Sequence, residues 1–361
     1  MEWISILKCP FTGNDLRALQ ATEIEALNAK IAQGAVWQAD GKTFTTPLTK
    51  GLISVKGDFI YPIINEIVLL MKDLALVDSK DNILKDTISA DKQLVKDFYD
   101  EKGWFADAEG NYEDAVIFED LRDVTKEYIK RCHDRVNRFL NPSGTYMLDA
   151  ASGALQFPDY LQYSANYKYR ICVDFSFQAL SEAKRKLGDK GICVLADMTN
   201  MPFKDGQIDG FVSLNTIYHI PKDEQLTAMK ELYRILAPKG KGVIVYEWFK
   251  HSPWMNVWLL PSRGAMFVKN RINRLFSKLT QGQPKKLLYF HAHPYSYFKS
   301  NLPFPFQLKV WRTVNVPFMK TYIHKALFGR QILDWLYRKE EAQPEKYGLK
   351  GEYPMLIFEK N

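Results

Sequence analysis

The chain has 361 residues, 46% of them hydrophobic and 25% charged, with a formal net charge of +7. That length and apolar content suffice for a large core in two or three domains and exclude a disordered or low-complexity chain. Four scattered cysteines (Cys9, Cys132, Cys172, Cys193) exclude a disulfide scaffold, no zinc-ligand spacing is present, and no uncharged run approaches the roughly 20 residues of a membrane span. The N-terminus lacks a basic-then-apolar signal pattern, so a reducing, cytoplasmic setting is expected.

Residues 1–72 stand apart as a small domain. Ile6-Leu7-Lys8-Cys9-Pro10-Phe11-Thr12-Gly13 opens it, and a segment from Gly57 through Tyr61-Pro62-Ile63 to Leu70 closes it. These features resemble the small zinc-ribbon-like domain that activates certain RNA-modifying methyltransferases and is fused to others. That domain often carries Cys-Pro-x-Cys near its start. Here Thr12 takes the place of the second cysteine and the later pair is missing, so no zinc is expected and Cys9 serves packing. Residues 73–140 read as a mainly helical linker with an aromatic-rich stretch holding Tyr99, Trp104 and Tyr112.

Residues 141–250 carry the densest signal. Tyr146-Met147-Leu148-Asp149-Ala150-Ala151-Ser152-Gly153 reads as an apolar strand ending in an acid, then a small-residue turn that lets a ligand approach the backbone. Arg170-Ile171-Cys172-Val173-Asp174 is a second strand ending in an acid, followed by Phe175 and by a helix that Ser176 caps and Gly188 stops. The apolar residues Leu180, Ala183 and Leu187 share one face of that helix. Ile192 to Ala196 is a third buried strand, ending at Asp197-Met198. A fourth closes at Leu214-Asn215 before Thr216-Ile217-Tyr218-His219. A helix over about 222–236 follows, then a break at Ala237 to Gly242, then a fifth strand, Val243 to Glu247. Strands with acids at their carboxyl ends, joined by helices, build a nucleoside site in an open α/β sheet. Neither G-x-G-x-x-G nor a lysine-bearing phosphate loop is present, so the turn suits a nucleoside without pyrophosphate.

This ordered series, from about Tyr146 to Glu247, resembles the class I S-adenosylmethionine (SAM)-dependent methyltransferases of the type 11-like group. The resemblance implies an α/β fold: a Rossmann-like seven-stranded sheet with a small N-terminal α+β domain and a helical C-terminal cap insertion. It also implies SAM as cofactor. By position, Asp149, Ala151 and Gly153 would hold the methionine part, Asp174 with Phe175 the ribose, Asp197 with Met198 the adenine, and Asn215 would border the site. Ala151 stands where the family usually has the first glycine of Asp-x-Gly-x-Gly. In many small-molecule members the segment before the core lids the cofactor, so Tyr99, Trp104 and Tyr112 are candidate acceptor-facing residues; aromatic faces attract a sulfonium.

In residues 251–361 the last two core strands are expected at Phe306 to Val314 and Tyr353 to Glu359, with insertions between: a basic amphipathic pair over 253–279 and a single helix over 319–347. From Trp248 to Leu333 there are 14 Lys and Arg and no Asp or Glu, leaving the rest of the chain at a net −7. Such a block reads either as a solvated basic face or as a cap over a substrate for which an anion is one option, with a membrane surface or nucleic acid as further alternatives and nucleic acid not favoured. His219 is the candidate base, and His293 and Tyr295 are candidate acceptor-pocket residues. No metal site is expected. The sequence therefore points to transfer of a methyl group to an O or N of a small-molecule or lipid-like acceptor. RNA methylation and a non-catalytic cofactor-binding scaffold or activator are the alternatives.

Overall fold

The computed structural model describes residues 2–57, 59–84, 119–261, 264 and 289–361. In the N-terminal unit the strands β1 (Leu16–Ala18), β2 (Trp37–Gln38), β3 (Gly51–Ser54), β4 (Ile60–Ile64), β5 (Ile67–Leu69) and β6 (Leu76–Val77) accompany helix α1 (Ala21–Ala32). Leu27 and Ile31 of α1 pack with Leu48, Ile53 and Leu76 in a small core. Strand β6 pairs with β2 and β4, so this unit runs past residue 72 into the stretch expected to be helical. Cys9 is buried with its Sγ 3.1 Å from the Tyr61 hydroxyl, a packing contact.

The large sheet contains β7 (Gly144–Ala150), β8 (Tyr167–Asp174), β9 (Gly191–Leu195), β10 (Ile208–Leu214), β11 (Leu236–Val245), β12 (Gln307–Arg312) and β13 (Tyr353–Glu359) in the order β9-β8-β7-β10-β11-β13-β12. The first five are parallel, and β13 runs antiparallel between β11 and β12. Strands covered by helices on both faces need continuous apolar runs, and β9 is buried at every position. The winding reverses between β7 and β10, and loops at that switch point leave a crevice beyond the carboxyl ends of the strands. Strand β9 would be an exposed edge. Instead β5 pairs with it in parallel, Ile67 opposite Cys193 and Leu69 opposite Leu195, so the N-terminal unit caps the edge. Backbone bonds from Lys8 to Pro202 (3.0 Å) and from Lys204 to Ile6 (2.8 Å) secure the docking.

Helix α2 (Asp123–Asn137) precedes the core. Helix α3 (Phe177–Leu187) starts where Ser176 Oγ accepts from the Ala179 amide and ends at Gly188 with φ 55°, as read from the sequence. Its Ala179, Leu180 and Ala183 are buried against β8, β9 and β5. Helix α4 (Gln225–Ile235) runs directly into β11. The expected break at Ala237 to Gly242 is a bulge inside that strand: pairing passes from Ile208–Leu236 to Gly210–Lys241, and Lys239 takes φ 64°.

The C-terminal region adds α5 (Pro253–Trp258), α6 (Tyr295–Asn301), α7 (Val316–Tyr322), α8 (Gly329–Ala342) and α9 (Pro344–Lys350). The single helix expected over 319–347 is three helices. Phe328 is left-handed at φ 55°, and a Cβ on Gly329 would lie 2.8 Å from the His324 carbonyl oxygen, so the chain must turn there. Pro344 starts α9 because it cannot continue α8. Most of the basic amphipathic pair expected over 253–279 lies outside the described residues.

Candidate active site

The loops at the carboxyl ends of β7 to β11 surround one cleft holding about 1510 Å³ of space, open mouth included. Its lining includes Asp149, Ala151, Gly153, Asp174, Phe175, Asp197, Met198, Asn215 and His219, nine residues singled out from the sequence. The three acids come together because each sits at or just past the end of adjacent strands β7, β8 and β9.

The turn after β7 is unusual in its backbone. Ala151 (φ 55°), Gly153 (φ 54°) and Leu155 (φ 51°) are all left-handed, a conformation that costs a residue with a Cβ roughly 1–2 kcal/mol. Surrounding bonds hold it: Ser152 N–H donates to Val173 O (3.1 Å), Gly153 N–H donates to Asp174 Oδ2 (2.8 Å), and Lys186 Nζ donates to the carbonyls of Ala154 (2.8 Å) and Leu155 (2.9 Å). Strain retained this way clusters at ligand clamps.

Asp149 is buried and paired with the buried Arg170, which also donates to Tyr160 O at 2.5 Å. Burial pushes the Asp149 carboxyl up and Arg170 opposes that shift. Asp149 therefore anchors β7 to β8 and shapes the floor. Asp174 is pushed up to about 6 by burial, against three backbone amides, those of Ser176, Gly153 and Phe175. Asp197 Oδ1 accepts from Thr199 N–H (2.8 Å) and Thr199 Oγ1 (2.7 Å), which fixes the turn bearing Met198. Two amide oxygens at the cleft, Gln156 Oε1 and Asn215 Oδ1, are buried without a hydrogen-bond partner among the described residues. A buried orphan acceptor is costly, so each calls for a donor.

His219 donates from Nδ1 to Tyr289 O (2.8 Å), which leaves Nε2 as the ring's acceptor. Burial lowers its pKa to about 4, so the imidazole is neutral. Phe290 joins the lining and packs on the rings of Tyr218 and His219 at 4.9 and 5.9 Å. His293 and Tyr295 do not line the cleft. The His293 ring donates from Nε2 to Lys222 O (3.1 Å) and stacks on Tyr297 at 3.7 Å, while Tyr295 packs edge-on against Trp248 and Phe306. Tyr99, Trp104 and Tyr112 lie outside the described residues.

Sequence reasoning passed over the far end of the cleft. Glu119, Glu247, Arg312 and Tyr353 line it, past the ends of β11 and β12 and at the start of β13. Arg312 is buried and bonded to Glu119 at 2.5 Å. Burial and the neighbouring Glu352, itself buried, push the Glu247 carboxyl up to about 8, against the opposing pull of Arg312 and Tyr218. The rule that flagged Asp149 and Asp174, an acid closing a core strand, also applied to Glu247.

Among the described residues no three His, Cys, Asp or Glu side chains cluster as a metal site, and no helix is long and apolar enough to cross a membrane.

The strand order, with its antiparallel β13, and the acid-rimmed switch point are those of a Rossmann-like methyltransferase fold. Residues 148–244 match a family described as a methyltransferase domain. An uncharacterized protein of Methanocaldococcus jannaschii is 29% identical over 158 residues, 42% of this chain and 60% of that protein. A probable tRNA methyltransferase 9B of Homo sapiens is 24% identical over 189 residues, 50% of this chain and 38% of that protein. The chain thus spans 60% or less of the length of these curated relatives. Among solved structures, a geranyl diphosphate methyltransferase in complex with GPP and sinefungin aligns with TM-score 0.45 and 14% identity, covering 76% of this chain and 100% of that one. A magnesium protoporphyrin IX methyltransferase from Synechocystis with bound SAM aligns with TM-score 0.42 and 13% identity, covering 77% and 100%.

Proposed function

We propose that this chain is a class I SAM-dependent methyltransferase acting on an O or N of a small-molecule or lipid-like acceptor. The observation that carries this reading is the convergence of Asp149, Asp174 and Asp197 with a strained small-residue turn on one cleft. The donor set fits the cofactor. Asp174 offers a carboxylate to the ribose hydroxyls, Asp197 and the Met198 backbone meet the adenine edge, and the orphan oxygens of Gln156 and Asn215 accept from the ammonium of the methionine part. When bound, SAM supplies a methyl group on a sulfonium. The protein's own work is alignment and exclusion of water: Phe157, Phe175, Tyr218 and Phe290 make apolar walls around the reacting end.

Neutral His219, with Nε2 as acceptor, is available to orient or deprotonate an acceptor, although its low pKa makes it a weak base at neutral pH. The N-terminal unit, by this reading, is a degenerate zinc-ribbon-like activator domain working in cis. It packs beside the adenine turn, where Asn200 Nδ2 donates to Pro10 O at 3.2 Å.

The test is binding. S-adenosylhomocysteine or SAM at millimolar concentration should raise the melting temperature of purified protein, and the absence of any shift refutes the reading. RNA methylation is the second reading, favoured by the similarity to a protein named as a tRNA methyltransferase and by the basic block. Tight tRNA binding with a steep salt slope would select it. Retained biological activity in an Asp174→Ala variant that no longer binds cofactor would select a scaffold instead.

A further inference from the structure

The cleft is divided by the sheet order. The ends of β9, β8 and β7 carry the adenosyl-facing acids, and the ends of β10, β11 and β12 with the start of β13 carry what remains. A cofactor lying across the first half directs its reactive end toward the second. That second half holds Asn215, Tyr218, Glu247, Arg312 and Tyr353, with Glu119 beside them.

The charges there do not suit an anion. Among the described members of the basic block only Arg312 lines the cleft, and Glu119 neutralises it at 2.5 Å. What is left is two carboxyls, Glu247 at the wall of the cleft and the buried Glu352 close enough behind it to raise the Glu247 carboxyl. Two neighbouring carboxyls disfavour each other's ionised form, and a cation bound beside them relieves that repulsion. Glu352 is fixed by its backbone: its N–H donates to Thr313 O (2.9 Å) and its carbonyl accepts from Trp248 N–H (2.8 Å). Asn315 Nδ2 donates to Glu352 Oε1 at 3.4 Å.

We infer that the methyl acceptor is an amine, bound as its ammonium at the Glu247–Glu352 pair, with the Glu247 carboxyl as the catalytic proton acceptor. This inference rests on the methyltransferase reading above. The Glu247 carboxylate takes one proton from the ammonium. The freed nitrogen lone pair forms the N–C bond as the C–S bond of the sulfonium donor breaks, and that electron pair stays on sulfur. The product leaves as the methylated ammonium, and the pair returns its extra proton to solvent. The groups facing Glu247 (Glu352, Arg312, Tyr218, Tyr353 and Glu119) include one cation, already paired. Burial and Glu352 push the Glu247 carboxyl of the free site up to about 8, and a bound ammonium favours its ionised form, so the carboxylate that accepts the proton forms as the amine binds.

The test uses the full chain saturated with S-adenosylhomocysteine and three probes of one shape: phenethylamine, phenethyl alcohol and phenylpropanoic acid. The amine should bind, seen as added thermal stabilisation and by calorimetry, and the acid should not. Glu247→Gln should weaken amine binding about tenfold to a hundredfold, the loss expected for one charged hydrogen bond, while S-adenosylhomocysteine affinity stays within about twofold. Glu352→Gln keeps the Glu247 carboxylate and removes the like charge behind it, so it should bind the amine at least as tightly as the wild type near neutral pH, which separates loss of Glu247 from general damage to this end of the cleft. Binding of the acid in preference to the amine, no binding of the amine, an unchanged amine affinity in Glu247→Gln, or an equal loss in Glu352→Gln overturns the inference. If the wild-type chain fails to bind S-adenosylhomocysteine, the methyltransferase reading falls and takes this one with it.

Discussion

Ala151 occupies a left-handed position, the conformation that favours glycine, and the substitution Ala151→Gly measures what that costs. Removing the Cβ at φ 55° relieves roughly 1–2 kcal/mol of backbone strain. Against this, glycine loosens the unfolded chain by about 0.7 kcal/mol, and the half-buried methyl gives up about 0.4 kcal/mol of burial. The expected net effect is a gain of about 0.5 kcal/mol. The neighbour supplies the control. Ala150 ends strand β7, is fully buried and is not left-handed. Ala150→Gly therefore gains nothing, pays the same unfolded-state term and loses a whole buried methyl, for a net loss of about 1.5 kcal/mol. Urea denaturation of both variants, compared at unchanged slope, should separate them by about 2 kcal/mol. Equal losses would refute the argument, because they would mean that Ala151 is not held left-handed. Calorimetry with S-adenosylhomocysteine on the same samples should show affinity retained or improved in Ala151→Gly, since the turn keeps its shape without strain.

Arg170→Met strands the Asp149 carboxylate in the core and should cost about 3–5 kcal/mol, much of it recovered in the Asp149→Asn, Arg170→Met double variant; denaturant midpoints complete the cycle. Asp174 has its carboxyl raised to about 6 in the fold, above its unfolded value, so its contribution to the stability of the free protein is full below about pH 4 and is lost as pH rises through 6. Cofactor binding needs the ionised acceptor, so S-adenosylhomocysteine affinity should fall as pH drops below about 6, and Asp174→Asn should weaken binding at pH 8 and flatten the profile; a wild-type profile flat from pH 5 to 8 contradicts this. Gly242→Ala would place a Cβ 2.1 Å from the buried Phe211 ring, so melting experiments should show a loss of about 3 kcal/mol or more.

Much of the core was legible because its signals are local. An apolar run, an acid and a small-residue turn occupy neighbouring positions, so Gly144–Ala150, Tyr167–Asp174 and Gly191–Leu195 announce both their strands and the acids that close them. The final strand, Tyr353–Glu359, was delimited to the residue by its apolar stretch. The insertions were harder. The apolar residues Ile323, Leu327, Ile332, Leu333 and Leu336 read as one helix over 319–347; Pro344 was a local stop within it, whereas the turn at Phe328 depends on how Gly329 packs against His324, a contact that periodicity does not encode. His293 and Tyr295 looked like pocket residues from their place after the fifth strand. The loop that carries them folds instead over Tyr246 and Trp248, with the His293 amide bonded to the Tyr246 hydroxyl at 2.9 Å.

The amino-acid order by itself determined the alternation of strand and helix and therefore which acids would lie along the carboxyl edge of a parallel sheet, because chain direction and connection handedness leave little freedom once the elements are set. It did not determine which charges would neutralise one another. Glu119 meets Arg312 across 193 residues, Glu247 meets Glu352 because antiparallel β13 lies beside β11, and β5 of the N-terminal unit finds β9 as its edge partner. Those pairings are settled when long-range packing removes water from the groups and fixes their distances. For that reason the pairing of charges among the described residues at the far half of the cleft belongs to the tertiary structure.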